Sequence, residues 1–366
     1  SKEIKSNGNS PANILIEGDN YHVLSVLNYT HKNSFDVIYL DPPFNTGNKT
    51  WKYNNRYVDR DDPFKHSKWL SFMSKRLKLS KNLLKKSGVI VCSIDDYEVN
   101  TLGLLMDEIF GEDNRLSTVI VEINPSGRTS DNFFGTAHEY FFVYAKDPNN
   151  ANVEFFNLTE EQKNKYTLED SISKYKWRDF LRTGGFSTPE ERPNSYYPIY
   201  YDPQTKKTAL EPFKSSVKIF PIDSKGNKRV WRQTRPSFLK LLDQGEIKIE
   251  KKSNDKFKVS IKDRIKSGLK PKTVWTGSRY GASTHGTKLL EQILGEARTF
   301  EFPKSLYTMF DIFYILTKSN PDALILDFFA GSGTSGHAVL ELNDEDDGNR
   351  KFILCTNNEN EICTEV

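Results

Sequence analysis

Asp41-Pro42-Pro43-Phe44 follows directly on the apolar run Phe35-Asp36-Val37-Ile38-Tyr39-Leu40. An exocyclic amino group on a nucleobase is a poor nucleophile, because its lone pair is delocalised into the ring. A carboxylate and a backbone carbonyl that both accept its N–H bonds bias the nitrogen towards a tetrahedral, nucleophilic geometry. Asp41 would supply the carboxylate and the Pro42 carbonyl the second acceptor. Pro42 and Pro43 fix φ and stiffen the loop that aims them. Phe44 offers a flat face on which an extruded base can stack. The plainer reading is a Pro-Pro turn closing a strand.

The second constellation is Asp327-Phe328-Phe329-Ala330-Gly331-Ser332-Gly333-Thr334-Ser335-Gly336, set between an apolar run and a helical stretch. Glycines there let the chain turn sharply and let a ligand approach the backbone. The spacing also matches the dinucleotide fingerprint G-x-G-x-x-G. Alone it indicates a nucleotide-like cofactor at a strand end. A nicotinamide-dependent oxidoreductase would explain it but would leave Asp41–Phe44 without a role. Other chemistries lack their residues. Methylation of cytosine C5 needs a nucleophilic cysteine, typically after proline, whereas Val91, Leu354 and Ile362 precede Cys92, Cys355 and Cys363. Neither the three cysteines nor the six histidines show metal-ligand spacing, so no metal site is expected. Asp95-Asp96 resembles a metal pair but reads better as the start of a helix.

The elements that must position these residues alternate between strand and helix. Strands are expected at 13–16, 35–40, 89–94, 118–123 and 140–144, and helices at 21–27, 67–86 and 98–110. From about 147 to 280 the pattern breaks into short β-like pieces such as Val217–Phe220, Ile247–Ile249 and Phe257–Val259. It returns with a helix from Lys304-Ser305 to Thr317, a strand at 323–327, a helix from Thr334 to Leu342, a solvated loop at Glu345–Gly348 and a strand at 351–355. Such alternation argues for a mostly parallel, doubly wound α/β sheet.

Composition closes off other classes. With 366 residues, 36% hydrophobic and 13% aromatic, the chain is too rich in apolar groups to be disordered. No run approaches the ~20 apolar residues of a membrane helix, and no signal pattern is visible. Three cysteines cannot build a disulfide framework, so a cytoplasmic location is expected and no membrane partner. The net charge of +3 conceals a division: residues 204–280 hold 21 Lys and Arg against 7 Asp and Glu, which leaves −11 on the rest. A block carrying +14 suits a polyanion, most often nucleic acid, or else is a solvated lysine-rich surface. Its candidate nucleic-acid contacts are Lys228, Arg229, Arg232, Arg235, Lys251 and Lys252. The helix at Lys65–Lys86 is either another element facing that polyanion or a solvated face.

Asp41–Phe44 upstream of Asp327–Gly333 resembles the β class of S-adenosylmethionine-dependent DNA amino-methyltransferases. Longer stretches are most similar to the modification (Mod) subunits of type III restriction-modification systems: Leu15–Asn20, Tyr39–Asn48, Ser93–Val99, His138-Glu139-Tyr140, Phe302–Ser305 and Thr356–Glu359. The resemblance implies a circularly permuted, Rossmann-like sheet whose third, fourth and fifth strands come before its first and second. It implies a catalytic half at 1–148, a mostly β or irregular target-recognition insert at 149–281 and a cofactor-binding half at 282–366. It implies S-adenosylmethionine as cofactor, with Asp327, Phe329, Ala330, Gly331, Ser332 and Gly333 around its methionine part. Lys304 and Ser305 would meet its carboxylate, Asp19 its adenine and Glu359 its ribose. Asp41, Pro42, Pro43 and Phe44 would be catalytic, with Asp rather than Ser at 41 pointing to N6 of adenine over N4 of cytosine. Double-stranded DNA, a homodimer and a restriction (Res) subunit are the implied partners. Cytosine-N4 methylation and a recognition subunit with little activity alone are the alternatives. The resembled subunits run on past Glu359, whereas this sequence starts without Met and stops at Val366, so a trimmed or short relative is expected.

Overall fold

The computed structural model describes residues 13–47, 52–53, 56–59, 61–128, 131–253, 256–295, 300 and 302–357. Glu359 lies outside them. The chain forms two compact units, one from residues 1–156 and 270–366 and the other from 157–269.

The first unit is built on β1 (Ile14–Glu17), α1 (Asn20–Thr30), β2 (Phe35–Leu40), α2 (Lys65–Leu83), β3 (Leu84–Ile94), α3 (Val99–Phe110), β4 (Arg115–Glu122) and β5 (His138–Ala145). After the insert come β6 (Val274–Trp275), α4 (Leu306–Thr317), β7 (Leu324–Asp327), α5 (Thr334–Asp346) and β8 (Lys351–Thr356). One eight-stranded sheet runs β1-β8-β7-β2-β3-β5-β4-β6, and β5 alone is antiparallel to its neighbours. The permutation is explicit in this order. The chain enters at an edge, builds β2 and β3, and only after the insert supplies the two strands that join β1 to β2.

The strands are apolar on both faces because helices cover both. Ile38, Leu40, Ile90 and Cys92 pack with Leu24 of α1, Trp69, Met73 and Leu77 of α2, and Leu102 and Met106 of α3. Val37, Tyr39, Val89 and Val91 face the opposite way, with Met309 and Phe313 of α4 and Ala338, Val339 and Leu342 of α5. From β7 the chain winds through α5 to β8 on one side, and from β2 through α2 to β3 on the other. The β7–β2 boundary is therefore a topological switch point, where open α/β sheets bind ligands beyond their strand ends.

Four local expectations change. The first unit reaches into the expected insert, because Val274 and Trp275 pair with Ile120 and Val121 and the Glu154 amide donates to the Ile315 carbonyl. Asp95 does not cap α3; its carboxylate accepts the Tyr97 amide in a turn of its own. Glu345 and Asp346 are the end of α5 rather than loop, because Asp346 holds the fully buried guanidinium of Arg350. The basic helix expected to reach residue 86 ends at Leu83, and Leu84–Lys86 open β3 instead; α2 buries Trp69, Met73, Arg76, Leu77, Ser80 and Leu83 on one face.

The second unit is mostly β. Its larger sheet orders Ile247–Ser253, Lys256–Arg264, Lys174–Asp179 and Leu168–Glu169, all antiparallel, and Ile199–Tyr201 pairs with Thr208–Ala209 and Val217–Ile219. Phe180, Tyr197, Ile199, Trp231, Phe238 and Val259 form its core. The helix Arg235–Asp243, which contributes Phe238, was not apparent from the sequence.

Candidate active site

Strand register brings the two constellations together. Asp327 ends β7 opposite Tyr39 of β2, and Leu40 lies opposite Cys92 of β3. Asp327, Asp41 and Ser93 thus emerge on three adjacent strands at the same carboxyl edge.

Around Asp41 the polar groups are tightly linked. Ser93 Oγ donates to Asp41 Oδ1 at 2.6 Å, and the Tyr39 hydroxyl donates to Ser93 Oγ at 3.2 Å. Lys304 Nζ sits 3.2 Å from Asp41 Oδ1, donates to Glu139 Oε2, and lies 4.8 Å from the centre of the Phe44 ring. The ammonium expected at a cofactor carboxylate is therefore held between two carboxylates of the protein. Burial opposes its charge, but Asp41 and Glu139 outweigh burial and raise its pKa above the usual lysine value. Glu139 is 2% exposed, and burial raises its pKa against the opposing effect of Lys304. Its second oxygen, Oε1, is buried and has no hydrogen-bond partner among the described residues.

The loop after Asp41 is fixed from beneath. The Trp69 indole, fully buried in α2, donates to the Pro43 carbonyl at 2.7 Å. Asn45 adopts a left-handed φ of 59° and is 1% exposed. Its amide donates to Glu98 Oε1 at 2.5 Å, which also lies 2.7 Å from His66 Nδ1. An asparagine tolerates that backbone region better than most residues, and the buried carboxylate keeps it there. The loop geometry is set by three elements, not by the prolines alone.

On the other side of the switch point, Asp327 is 2% exposed, accepts the Ser335 hydroxyl at 2.5 Å and the Phe329 amide at 2.9 Å. Burial pushes its pKa up to about 7 against those two donors. Gly331 and Gly333 take φ values of 53° and 75°, left-handed positions that suit glycine. Behind the turn, Asn20 donates to the Phe328 carbonyl at 2.8 Å, and Arg76 holds Asn20 Oδ1 at 2.5 Å and Asp19 Oδ2 at 3.2 Å. Asp19 also caps α1 through the Tyr21 amide. The Phe329 ring packs 6.0 Å from that of Phe72, which lies under the Arg76 guanidinium. Ser305 precedes α4 and donates to the Arg279 carbonyl at 3.1 Å. A buried carboxylate whose hydrogen-bond donors are neutral, beside a glycine turn and a helix start, fits the positively charged amino-acid end of a nucleotide-like cofactor.

In the second unit, the sequence-expected DNA contacts divide. Arg229 is committed to Asp223 at 2.9 Å and Ser187 at 3.2 Å, and Arg232 to the Asp179 carbonyl at 2.7 Å. Lys228, Arg235, Lys251 and Lys252 are exposed.

The profile of a family described as DNA methylase matches residues 35–365. The chain belongs to the DNA methylase family. This DNA methylase is 36% identical over 345 residues to the type II methyltransferase M.KpnI of Klebsiella pneumoniae, covering 93% of this chain and 79% of that one. It is 33% identical to the Mod subunit of the type III restriction-modification enzyme EcoPI of Escherichia phage P1, covering 95% and 58%. It is 30% identical to the StyLTI Mod subunit of Salmonella typhimurium, covering 94% and 52%. The chain thus spans about half the length of the Mod subunits it matches. The methylase is an S-adenosylmethionine-dependent enzyme by family. No described helix is long and apolar enough to cross a membrane.

Several residues of this candidate site carried no role in the sequence reading: Ser93, Glu139, Trp69, Asn45, Glu98 and Arg76. Glu139 had a usable signal. It shares a strand face with Phe141 and Val143, so an acid stands on a core-facing position. Arg76 had one as well, an arginine on the apolar stripe of α2.

Proposed function

We propose that the chain transfers a methyl group to N6 of an adenine turned out of duplex DNA, as the modification subunit of a type III-like restriction-modification system. The observation that carries this reading is Asp41 itself. Its carboxylate is fixed by Ser93 and Lys304 at the end of β2, one strand away from the glycine turn at Asp327.

The chemistry follows from what each group can accept. Asp41 takes one N6–H bond and the Pro42 carbonyl the other, because the Pro43 carbonyl is occupied by Trp69. Drawing both hydrogens out of the ring plane restores lone-pair character on the nitrogen. Phe44 holds the extruded ring by stacking. Asp327 and the turn Phe329–Gly333 would hold S-adenosylmethionine, which supplies an electrophilic methyl on a sulfonium. Asp19 would lie on its adenine side, with Ser305 near its carboxylate end. Lys228, Arg235, Lys251 and Lys252 of the basic unit suit phosphate contacts, which position a duplex before any base is read. A homodimer, a Res partner and a cytoplasmic location belong to the same reading.

The test is transfer of labelled methyl from S-adenosylmethionine to duplex DNA by the purified chain, followed by digestion to nucleosides. Label in N6-methyl-2′-deoxyadenosine is expected. Label in N4-methyl-2′-deoxycytidine would replace adenine by cytosine as the target, and label in neither would overturn the proposal.

A further inference from the structure

We propose that Glu139 is a positioning residue for Asp41, acting through Lys304, and the final acceptor of the proton that adenine N6 sheds after methylation. The inference rests on the adenine reading above.

Once N6 carries the new methyl group it has a positive charge and one hydrogen too many. Asp41 already accepts an N6–H bond in this reading, so it is the first base the proton meets. Asp41 contacts Lys304 at 3.2 Å, and Lys304 donates to Glu139. Lys304 is 13% exposed at its side chain and Glu139 2%, so the pair is shielded from solvent. One N6–H bond breaks, its electron pair returns to the nitrogen, and the proton bonds to Asp41. Lys304 passes a proton to Glu139 and takes the one on Asp41. Asp41 and Lys304 regain their starting charges, and Glu139 ends as a neutral acid.

Two observations separate this arrangement from a structural ion pair. Lys304 bonds Glu139 Oε2 and leaves Oε1 buried with no partner among the described residues, so the ion pair satisfies only half of the carboxylate. A carboxylate held only for stability has both oxygens satisfied, since an unmade bond on a buried charge is costly. Burial also disfavours the charged form of Glu139, so a proton arriving there is welcome. Before the reaction Asp41 and Glu139 together outnumber Lys304 by one negative charge, which favours the cation that forms on N6. The titratable groups facing Glu139 are Lys304 before α4, Asp41 after β2, Tyr39 within β2 and Asp95 after β3.

The experiment compares the wild-type chain with Glu139→Gln in single-turnover methylation of duplex DNA between pH 5 and 9. Calorimetric binding of S-adenosylmethionine and thermal melting are measured on the same samples. Glu139→Gln is expected to slow methyl transfer by about 100-fold, because Asp41 loses its aim and the site loses the negative charge that favours the cation developing on N6, with cofactor affinity within threefold and without the acid limb that Glu139 gives the pH profile. Wild-type rate and profile in the variant would overturn the proposal, as would a rate loss matched by equal loss of cofactor binding. If the variant does not fold, the wild-type profile decides. At saturating cofactor an acid limb above the ordinary carboxylate range that persists in Asp327→Asn is expected, and a rate that stays flat to pH 5, or a limb that vanishes with Asp327→Asn, would overturn the relay. A wild-type chain that methylates no adenine would instead overturn the functional reading.

Discussion

Ser93→Ala tests how Asp41 is aimed. The hydroxyl donates to Asp41 Oδ1 at 2.6 Å and accepts from Tyr39 at 3.2 Å. A hydrogen bond to a charged group is worth about 1.5–3 kcal/mol. If it is made more strongly when Asp41 polarises the amino group, its loss slows transfer by roughly 10- to 150-fold. Lys304 still contacts the same oxygen, so the lower half of that range is expected. The buried Tyr39 hydroxyl loses its acceptor too, at a stability cost of about 1–3 kcal/mol. The assay is single-turnover methylation at saturating cofactor and DNA, because product release sets the steady-state rate of many enzymes. Affinity for both ligands should stay within threefold. A single-turnover rate within twofold of wild type would refute the argument that Ser93 positions the carboxylate.

Three further substitutions probe the surrounding structure. Asp327 has its pKa raised to about 7 by burial. Between about pH 4 and 7 the folded state keeps a proton that the unfolded chain has lost, so this group makes stability fall as pH rises through that window. Asp327→Asn should remove that slope in the cofactor-free protein, melting higher than wild type at pH 8 while losing cofactor affinity; an unchanged melting profile would count against it. Trp69→Phe removes the bond to the Pro43 carbonyl and shrinks a fully buried ring. A loss of about 2–4 kcal/mol in denaturant unfolding is expected, with a lower transfer rate as the loop loosens. Gly331→Ala puts a Cβ at φ 53° and 3.0 Å from the Phe300 ring. Strain of about 1–2 kcal/mol should appear as weaker cofactor binding in calorimetry, with DNA binding unchanged.

The framework of the fold was legible because its strands are local signals. Val37–Leu40, Val89–Ile94 and Leu324–Asp327 are apolar runs too short for helices, each followed by a turn. The order of those strands was not readable from pattern alone and came from resemblance. The antiparallel direction of β5 and the short edge strand β6 depend on partners far away in sequence. So do the missed site residues. Glu139 meets Lys304 across 165 positions, and Trp69 reaches Pro43 from another element. Local cues also misled where a tertiary partner intervened, as at Asp346, whose acidic run looked solvated until Arg350 placed it on a helix. The insert was least legible, because its short strands and the helix carrying Phe238 are fixed by a core of its own. Arg229 shows the limit of counting charges, since it closes a turn with Asp223.

The central claim is that Asp41, at the switch point of a permuted sheet, drives methylation of adenine. Long-read sequencing of duplex DNA incubated with S-adenosylmethionine and either wild-type chain or Asp41→Ala reports base, position and recognition motif together. The account predicts N6-methyladenine at one recurring motif with wild type and none with the variant, which still binds the cofactor. Methylation by Asp41→Ala at the wild-type level would contradict it.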